Sequence, residues 1–203
     1  MRIKSLYIII FLLSFSVNPH MAFAEEKKPT ETVRELLKSI SMIKDESINK
    51  LTPQERKNNK KLMNKASSII HIFILGPKTL GSHWEKRTPK EKENFLAILT
   101  RLFEKVAYPK SAKFFTDLQI NYDNEIIKKG EAKVQTSMEH ESEGLIEIGF
   151  KLHKINGKWL IYDVILDEVS LVLNLKAQFH KVIEEESFGE LIKRMNERLE
   201  KED

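Results

Sequence analysis

Apolar positions change their period along the chain. Val33, Leu36, Leu37, Ile40 and Ile43 recur at helical spacing and predict a helix over about Glu31–Lys44. Thr52, Pro53 and Glu55 form an N-cap, an N1 proline and an N3 acid, the signature of a capping box. The helix they open carries Leu62, Ala66, Ile69, Ile70 and Phe73 on one face and runs toward Leu75, with Gly76-Pro77 as its stop. The signature recurs at Thr88, Pro89 and Glu91, before a third helix with Phe95, Leu99, Leu102, Phe103 and Val106, which Pro109 should end.

The period then drops to two. Leu118, Ile120, Tyr122 and Ile126 alternate in a first strand. Ala132, Val134, Thr136 and Met138 oppose Lys133, Gln135, Ser137 and Glu139 in a second, and Ile146, Ile148, Phe150 and Leu152 oppose Glu147, Gly149, Lys151 and His153 in a third. Such alternation predicts an antiparallel sheet with one wet and one buried face. A fourth strand, Lys158–Asp167, is apolar on both faces and should be central or covered. Asn156-Gly157 marks the hairpin before it. A two-residue loop would pair Phe150 with Asp163 and bury a carboxylate. A three-residue loop pairs Phe150 with Tyr162 instead, sends Leu160, Tyr162, Val164 and Leu166 inward and turns Asp163 outward beside Gly149. Helical spacing returns over Val169–Glu186, with Val172, Leu175, Phe179 and Val182, and in a last helix capped by Ser187 and Glu190 that carries Phe188, Leu191, Ile192, Met195 and Leu199. The expectation is an α+β fold: a curved four-stranded antiparallel sheet with helices packed on its apolar face.

Composition and charge narrow the class. The chain has 203 residues and 41% hydrophobic residues, too many for a disordered chain. It has no cysteine, which excludes disulfide frameworks, zinc knuckles, Fe–S clusters and thiol catalysis. Arg2 and Lys4, the apolar run Leu6–Val17 and Ala22-Phe23-Ala24 read as a secretory signal cleaved after Ala24. Its 12 residues rise only about 18 Å, short of the roughly 30 Å of a bilayer core. Residues 25–203 then form one domain, exported and soluble. Without Arg2 and Lys4 the 34 basic residues become 32 against 30 acids, so the formal +4 falls to +2. That weakens any reading as a nucleic-acid binder, and none is expected as a partner. Only Arg56–Lys61 looks clustered, as a solvated helix face or a docking surface for anionic groups.

Catalytic signatures are sparse. His71, His83, His140, His153 and His180 show no HExxH spacing and no partner at a metal-binding separation, so no metal is expected. There is no GxSxG, Walker loop or dinucleotide fingerprint. Asp123 and Asp163 each follow a tyrosine and are the best candidates for an acid/base dyad, against a plainer role as outward strand carboxylates. Trp84 and Trp159 read as core or rim aromatics, or as the lining of a ligand cavity.

One long stretch carries a resemblance. Tyr162-Asp163-Val164, Asp167-Glu168, Val169-Ser170, Val172, Asn174-Leu175 and Lys176-Ala177-Gln178-Phe179 resemble the YDV–(acid)G–xS–xV–xNY–RxQF motif of the MlaC/toluene-tolerance family of periplasmic phospholipid-binding proteins. Leu80-Gly81-Ser82-His83-Trp84 resembles that family's LGxxW, Thr88-Pro89 with Phe95 its TPxQ…F helix, and Asn156-Gly157-Lys158-Trp159 its xGxW hairpin. The chain departs from the pattern at Glu168 (Gly in the family), Leu175 (Tyr) and Lys176 (Arg), and His71–Leu75 lacks the acid that precedes LGxxW.

The resemblance implies a monomeric, non-enzymatic periplasmic carrier with no cofactor and a phospholipid as cargo. It implies passage of that lipid between an outer-membrane lipoprotein–porin complex and the inner-membrane MCE-domain protein of an ABC transporter, which maintains outer-membrane lipid asymmetry. Two acyl tails expose about 30 CH₂ groups, and holding them in water costs about 24 kcal/mol. A carrier must therefore bury them. The residues expected to line the lipid cavity are Phe95, Leu99, Phe103, Ile120, Tyr122, Val134, Met138, Ile146, Ile148, Phe150, Leu160, Tyr162, Val164 and Val172. Hopanoid or another apolar ligand is an alternative cargo. An exported α+β enzyme of isomerase or hydrolase type is an alternative class.

Overall fold

The computed structural model describes residues 27–46, 50–115, 119–140 and 144–201. The expected export signal and Leu118 lie outside them. Helices α1 (Pro29–Ser41), α2 (Pro53–Ile69), α3 (Ile72–Leu80), α4 (Ser82–Glu85) and α5 (Pro89–Leu102) lead through a π-helical turn (Phe103–Ala107) into α6 (Tyr108–Phe115). Strands β1 (Ile120–Lys128), β2 (Glu131–His140), β3 (Gly144–Ile155), β4 (Lys158–Leu166) and β5 (Val169–Ser170) follow, then α7 (Leu171–Glu185) and α8 (Phe188–Glu200). The strands pair antiparallel in chain order, so the fold is α+β as expected, with a fifth, two-residue strand added to the predicted four.

Both capping boxes form. Thr52 and Thr88 accept from the N–H groups of Glu55 and Glu91, whose carboxylates accept in return from the threonine N–H groups. Two predicted helix ends do not form where expected. The second helix breaks at Ile70, which takes an extended conformation and bridges to Ile161, with the His71 N–H donating to the Ile161 carbonyl at 2.7 Å. The chain thereby covers part of the free edge of β4. Gly76-Pro77 lies inside α3 rather than at a stop. A Cβ on Gly76 would come within 2.3 Å of Leu96 in α5, so the glycine permits close helix packing. Pro109 does not end its helix either. The π turn shifts the hydrogen-bond frame, and Pro109 falls at the second position of α6, where a missing N–H is tolerated.

The inner faces of β2 and β3 follow the predicted alternation. Ala132, Val134, Thr136, Met138, Ile146, Ile148, Phe150 and Leu152 are all buried. Two bulges break the alternation elsewhere. In β1, Asp123 is an extra residue between Tyr122, opposite Thr136, and Asn124, opposite Gln135. The bulge turns Ile126, expected inside, to the outer face at 55% exposure, and brings Glu125 inward. The Glu125 carboxylate accepts from the N–H and hydroxyl of Thr30 at 2.7 and 2.6 Å, at the start of α1.

The β3–β4 register corrects the sequence expectation. The loop has two residues, and Asn156 and Gly157 both have positive φ, as a tight hairpin turn with right-handed strand twist requires. Trp159 and Ile161, not Leu160 and Tyr162, therefore bury first. A bulge then skips Tyr162, so that Asp163 opposes Lys151, Phe150 opposes Val164 and Ile148 opposes Leu166. Val164 and Leu166 regain the inner face, while Leu160 and Tyr162 stay on the outer one.

Asp163 is not outward in the sense expected. It is 4% exposed, on the outer sheet face under the start of α7. Its oxygens accept from the Ser170 hydroxyl at 2.9 and 3.0 Å and from the Val172 N–H at 3.2 Å, with Lys151 Nζ 3.4 Å away. A carboxylate at a helix N-terminus, met by donors, can be buried. These donors remove the burial penalty that a two-residue loop would otherwise impose.

Two stability measurements follow from this geometry. Asp163→Ala strands buried donors and should lower unfolding free energy by about 3 kcal/mol in urea titration, against under about 1 kcal/mol for Lys151→Met, whose side chain is partly exposed. The turn before β5 places Asp167 and Glu168 at φ +45° and +68°. Left-handed backbone is unfavourable for a glutamate, so Glu168→Gly should raise stability by about 1 kcal/mol in the same titration.

Candidate functional site

An apolar cleft of about 650 Å³ lies between the inner sheet face and the helices. Ile148, Phe150, Val164 and Leu166 form its floor. Leu36, Leu37 and Ile40 of α1, Ile70, Phe103 and Ala107 of the π turn, Tyr108, Phe114 and Phe115 of α6, and Leu171 of α7 form its walls. Its polar lining is limited to Lys110, Ser111, Asp167 and Asn174, apart from the Tyr108 hydroxyl. Of the lining apolar residues, Leu166 and Val169 are 44% and 57% exposed, and Leu173 beside them is 64% exposed. Apolar surface thus continues from the interior to the rim.

Each wall has a local cause. The α1 stripe faces the sheet because its apolar residues repeat every three to four positions. The π turn rotates the helix after Phe103, and Phe103 and Ala107 end up on the cleft side. The bulge in β4 returns Val164 and Leu166 to the floor after the excursion at Tyr162. Tyr108 points its ring at the cleft and shares a hydrogen bond with the Ser67 hydroxyl at 3.3 Å. Burial pushes its hydroxyl up to about 12, so it is neutral at physiological pH.

A second apolar cleft of about 610 Å³ adjoins the first, lined by Leu99 and Leu102 of α5, Leu175, Phe179 and Val182 of α7, and Leu191 and Met195 of α8. Phe103, Ala107, Lys110 and Leu171 line both clefts; Phe103, Ala107 and Leu171 form the partition between them, and Lys110 is exposed at the rim.

The predicted lining residues fall into groups. Phe103, Ile148, Phe150 and Val164 line the first cleft, and Leu99 and Phe103 the second. Val134, Met138 and Ile146 are buried on the same sheet face, and Val172 is buried in α7. Phe95 is fully buried, edge-on to Phe179 and Trp84. Ile120 and Tyr122 are half-buried on β1, where the Arg34 guanidinium lies 3.9 Å from the Tyr122 ring centre. Leu160 and Tyr162 lie across the sheet from both clefts, because the two-residue loop sets Trp159 and Ile161 inward and the bulge at Tyr162 comes only after them. Sequence reasoning missed the α1 wall, whose stripe was read only as helical spacing, and Phe114-Phe115, which the supposed stop at Pro109 left without an element.

The candidate dyad carboxylates are apart from the clefts. Asp123 is exposed at its bulge, and Asp163 holds the start of α7. Trp159 is buried in the core and Trp84 packs at its margin. The run Arg56–Lys61 is exposed except Asn59, whose amide bonds both backbone groups of Lys44.

Histidines pair in two places. His71 Nδ1 lies 2.5 Å from His153 Nε2, with the Tyr162 ring tilted against His153 at 5.2 Å between centres. The wet face expected at His153 is therefore covered there. His83, His180 and Glu184 also converge, which corrects the expectation of no partner at a metal-binding separation. Helix α7 places His180 and Glu184 one turn apart, and only folding brings His83 to them.

A family model described as MlaC protein matches residues 31–197. No curated protein matches the sequence. Among solved structures, the chain is similar to a phospholipid-binding protein from Ralstonia solanacearum, determined in complex with a phospholipid. The TM-score is 0.68 at 16% identity, over 85% of this chain and 95% of that one. At that identity the likeness concerns the fold.

The His71–His153 pair generates a pH prediction. Burial holds both imidazoles below their usual range; at His153 the neighbouring His71 and Lys78 add to this and Glu131 opposes it. Depressed bases are neutral in the fold and protonate first in the unfolded chain. Stability is then full above about pH 6.5 and falls as pH drops toward the folded values. Urea midpoints across about pH 5 to 8 should show this slope. His153→Gln should flatten it, and an unchanged slope in that variant would contradict the assignment.

Proposed function

The chain belongs to the MlaC family, and from that membership we propose that it is a soluble periplasmic carrier that holds the acyl tails of a glycerophospholipid in the cleft between sheet and helices. The observation that carries this reading is the apolar cleft itself, about 650 Å³ in volume, with few polar groups in its lining. Its volume lies within the range of ordinary ligand pockets, about 300–1,000 Å³. A lipid with two tails needs the upper end of that range or more, and the second cleft lies behind the partition of Phe103, Ala107 and Leu171. Movement of that partition joins the two spaces. The π turn supplies a place for such movement, since its hydrogen bonds are less regular than those of an α-helix.

The headgroup stays in water at the mouth, where Lys110 borders both clefts and offers positive charge to a phosphate. Burial of about 30 CH₂ groups makes spontaneous escape into water very slow. Release therefore needs docking, with the tails passing directly to the acceptor. The proposed acceptors and donors are an inner-membrane MCE-domain protein of an ABC transporter and an outer-membrane lipoprotein–porin complex. This traffic maintains outer-membrane lipid asymmetry. Among the described residues no helix is long and apolar enough to cross a membrane.

The test is extraction and mass analysis of lipid from protein purified from a two-membrane bacterial host. Glycerophospholipid should copurify in molar proportion. Leu166→Glu puts a charge on the cleft floor at a position already 44% exposed. Copurified lipid should drop several-fold while unfolding free energy changes by about 0.5 kcal/mol or less. An empty wild-type protein, or a variant as loaded as wild type, would count against the reading. Hopanoid in place of phospholipid would keep the cleft and change the cargo.

A further inference from the structure

Away from both clefts, three metal-ligating side chains meet where α4 packs near α7. One ligand atom from each of His83, His180 and Glu184 lies within 4.8 Å of the others. His180 and Glu184 are four residues apart on α7, so they project from the same helix face. His83 reaches them from the short helix that follows the turn at Gly81, where φ is +51°. The two imidazole rings meet edge to face, 4.5 Å between centres.

The protonation pattern suits a cation. His180 Nε2 lies 2.8 Å from the Leu80 carbonyl oxygen, which can only accept, so Nε2 carries the proton and Nδ1 keeps its lone pair. A metal-binding histidine commonly has its second nitrogen held this way by a carbonyl. His83 Nε2 is buried and has no hydrogen-bond partner among the described residues. A buried ring nitrogen without a partner is costly unless something meets it. Glu184 supplies the one negative charge, 3.9 Å from His83 Nε2, on a side chain 66% exposed and free to close the remaining distance. Lys86 and Arg87 lie near enough to disfavour a cation, which makes the Glu184 charge necessary.

We propose that His83, His180 and Glu184 bind a divalent transition ion of the zinc type, with water completing the shell. Two imidazoles and one carboxylate form a donor set that suits this ion, and a tetrahedral site with one open position accepts three protein ligands. The ion ties the segment after α3 to the helix whose first residue, Leu171, lines both clefts. This site is independent of the lipid reading.

Calorimetric titration of the chelator-treated mature protein with zinc chloride should show one saturable site per chain. Glu184→Gln changes an exposed side chain and leaves the fold intact, so it decides the matter even where His83→Asn or His180→Asn unfolds. It should weaken binding by more than about tenfold, and a folded His180→Asn should do so by at least as much. His153→Asn removes the other histidine pair and should leave binding unchanged. Cobalt(II) in place of zinc should give the visible absorption of a tetrahedral site, lost in Glu184→Gln. No saturable zinc binding by wild type would overturn the proposal. So would wild-type affinity in Glu184→Gln, or loss of binding in His153→Asn.

Discussion

The carboxylate of Asp163 sits at the point where sheet becomes helix. It accepts from Ser170 and from the Val172 N–H and lies opposite Lys151 across the strand pair. Those bonds hold three things in place: the β4 register beyond its bulge, the hairpin that returns as β5, and the start of α7. Leu171, the first residue of that helix, belongs to the partition between the two clefts. A buried carboxylate is costly without donors, so the arrangement stands only as a set.

Glu125 repeats the device at the other side of the sheet. A bulge at Asp123 turns it inward, where it accepts from the N–H and hydroxyl of Thr30 near the start of α1. Each bulge thus positions one carboxylate at one helix N-terminus, where the helix dipole favours negative charge. The two helices so anchored, α1 and α7, both line the first cleft. The cleft stands between elements whose ends are fixed by polar contacts, which leaves apolar side chains to line the space between them.

Much of this was readable from pattern alone. Capping boxes at Thr52 and Thr88 and the faces of β2 and β3 appear where residue spacing placed them. Apolar spacing reports which side of an element faces inward, and it does so well where no residue is inserted. It fails at a bulge, because one extra residue reverses parity for the rest of the strand. Ile126 was misplaced for that reason, whereas Leu160 and Tyr162 were misplaced by the hairpin, whose loop is one residue shorter than expected and shifts parity in the same way. Gly76 and Pro109 were misread for another. Gly and Pro usually end helices, but here one permits contact with Leu96 and the other follows a π turn.

The sequence by itself determined the α+β class, the capped helix starts at Thr52, Thr88 and Ser187, the apolar sheet face and the motifs that resemble the MlaC family, because all of these depend on residues near one another in the chain. The tertiary structure alone decided which apolar residues pack solidly and which line open space, since the α1 stripe and the sheet floor look the same in either role. It also decided that Asp163 is buried with donors, and that His83 joins His180 and Glu184. Those outcomes depend on contacts between residues far apart in the chain, and spacing along a chain carries no measure of the distance between them once folded.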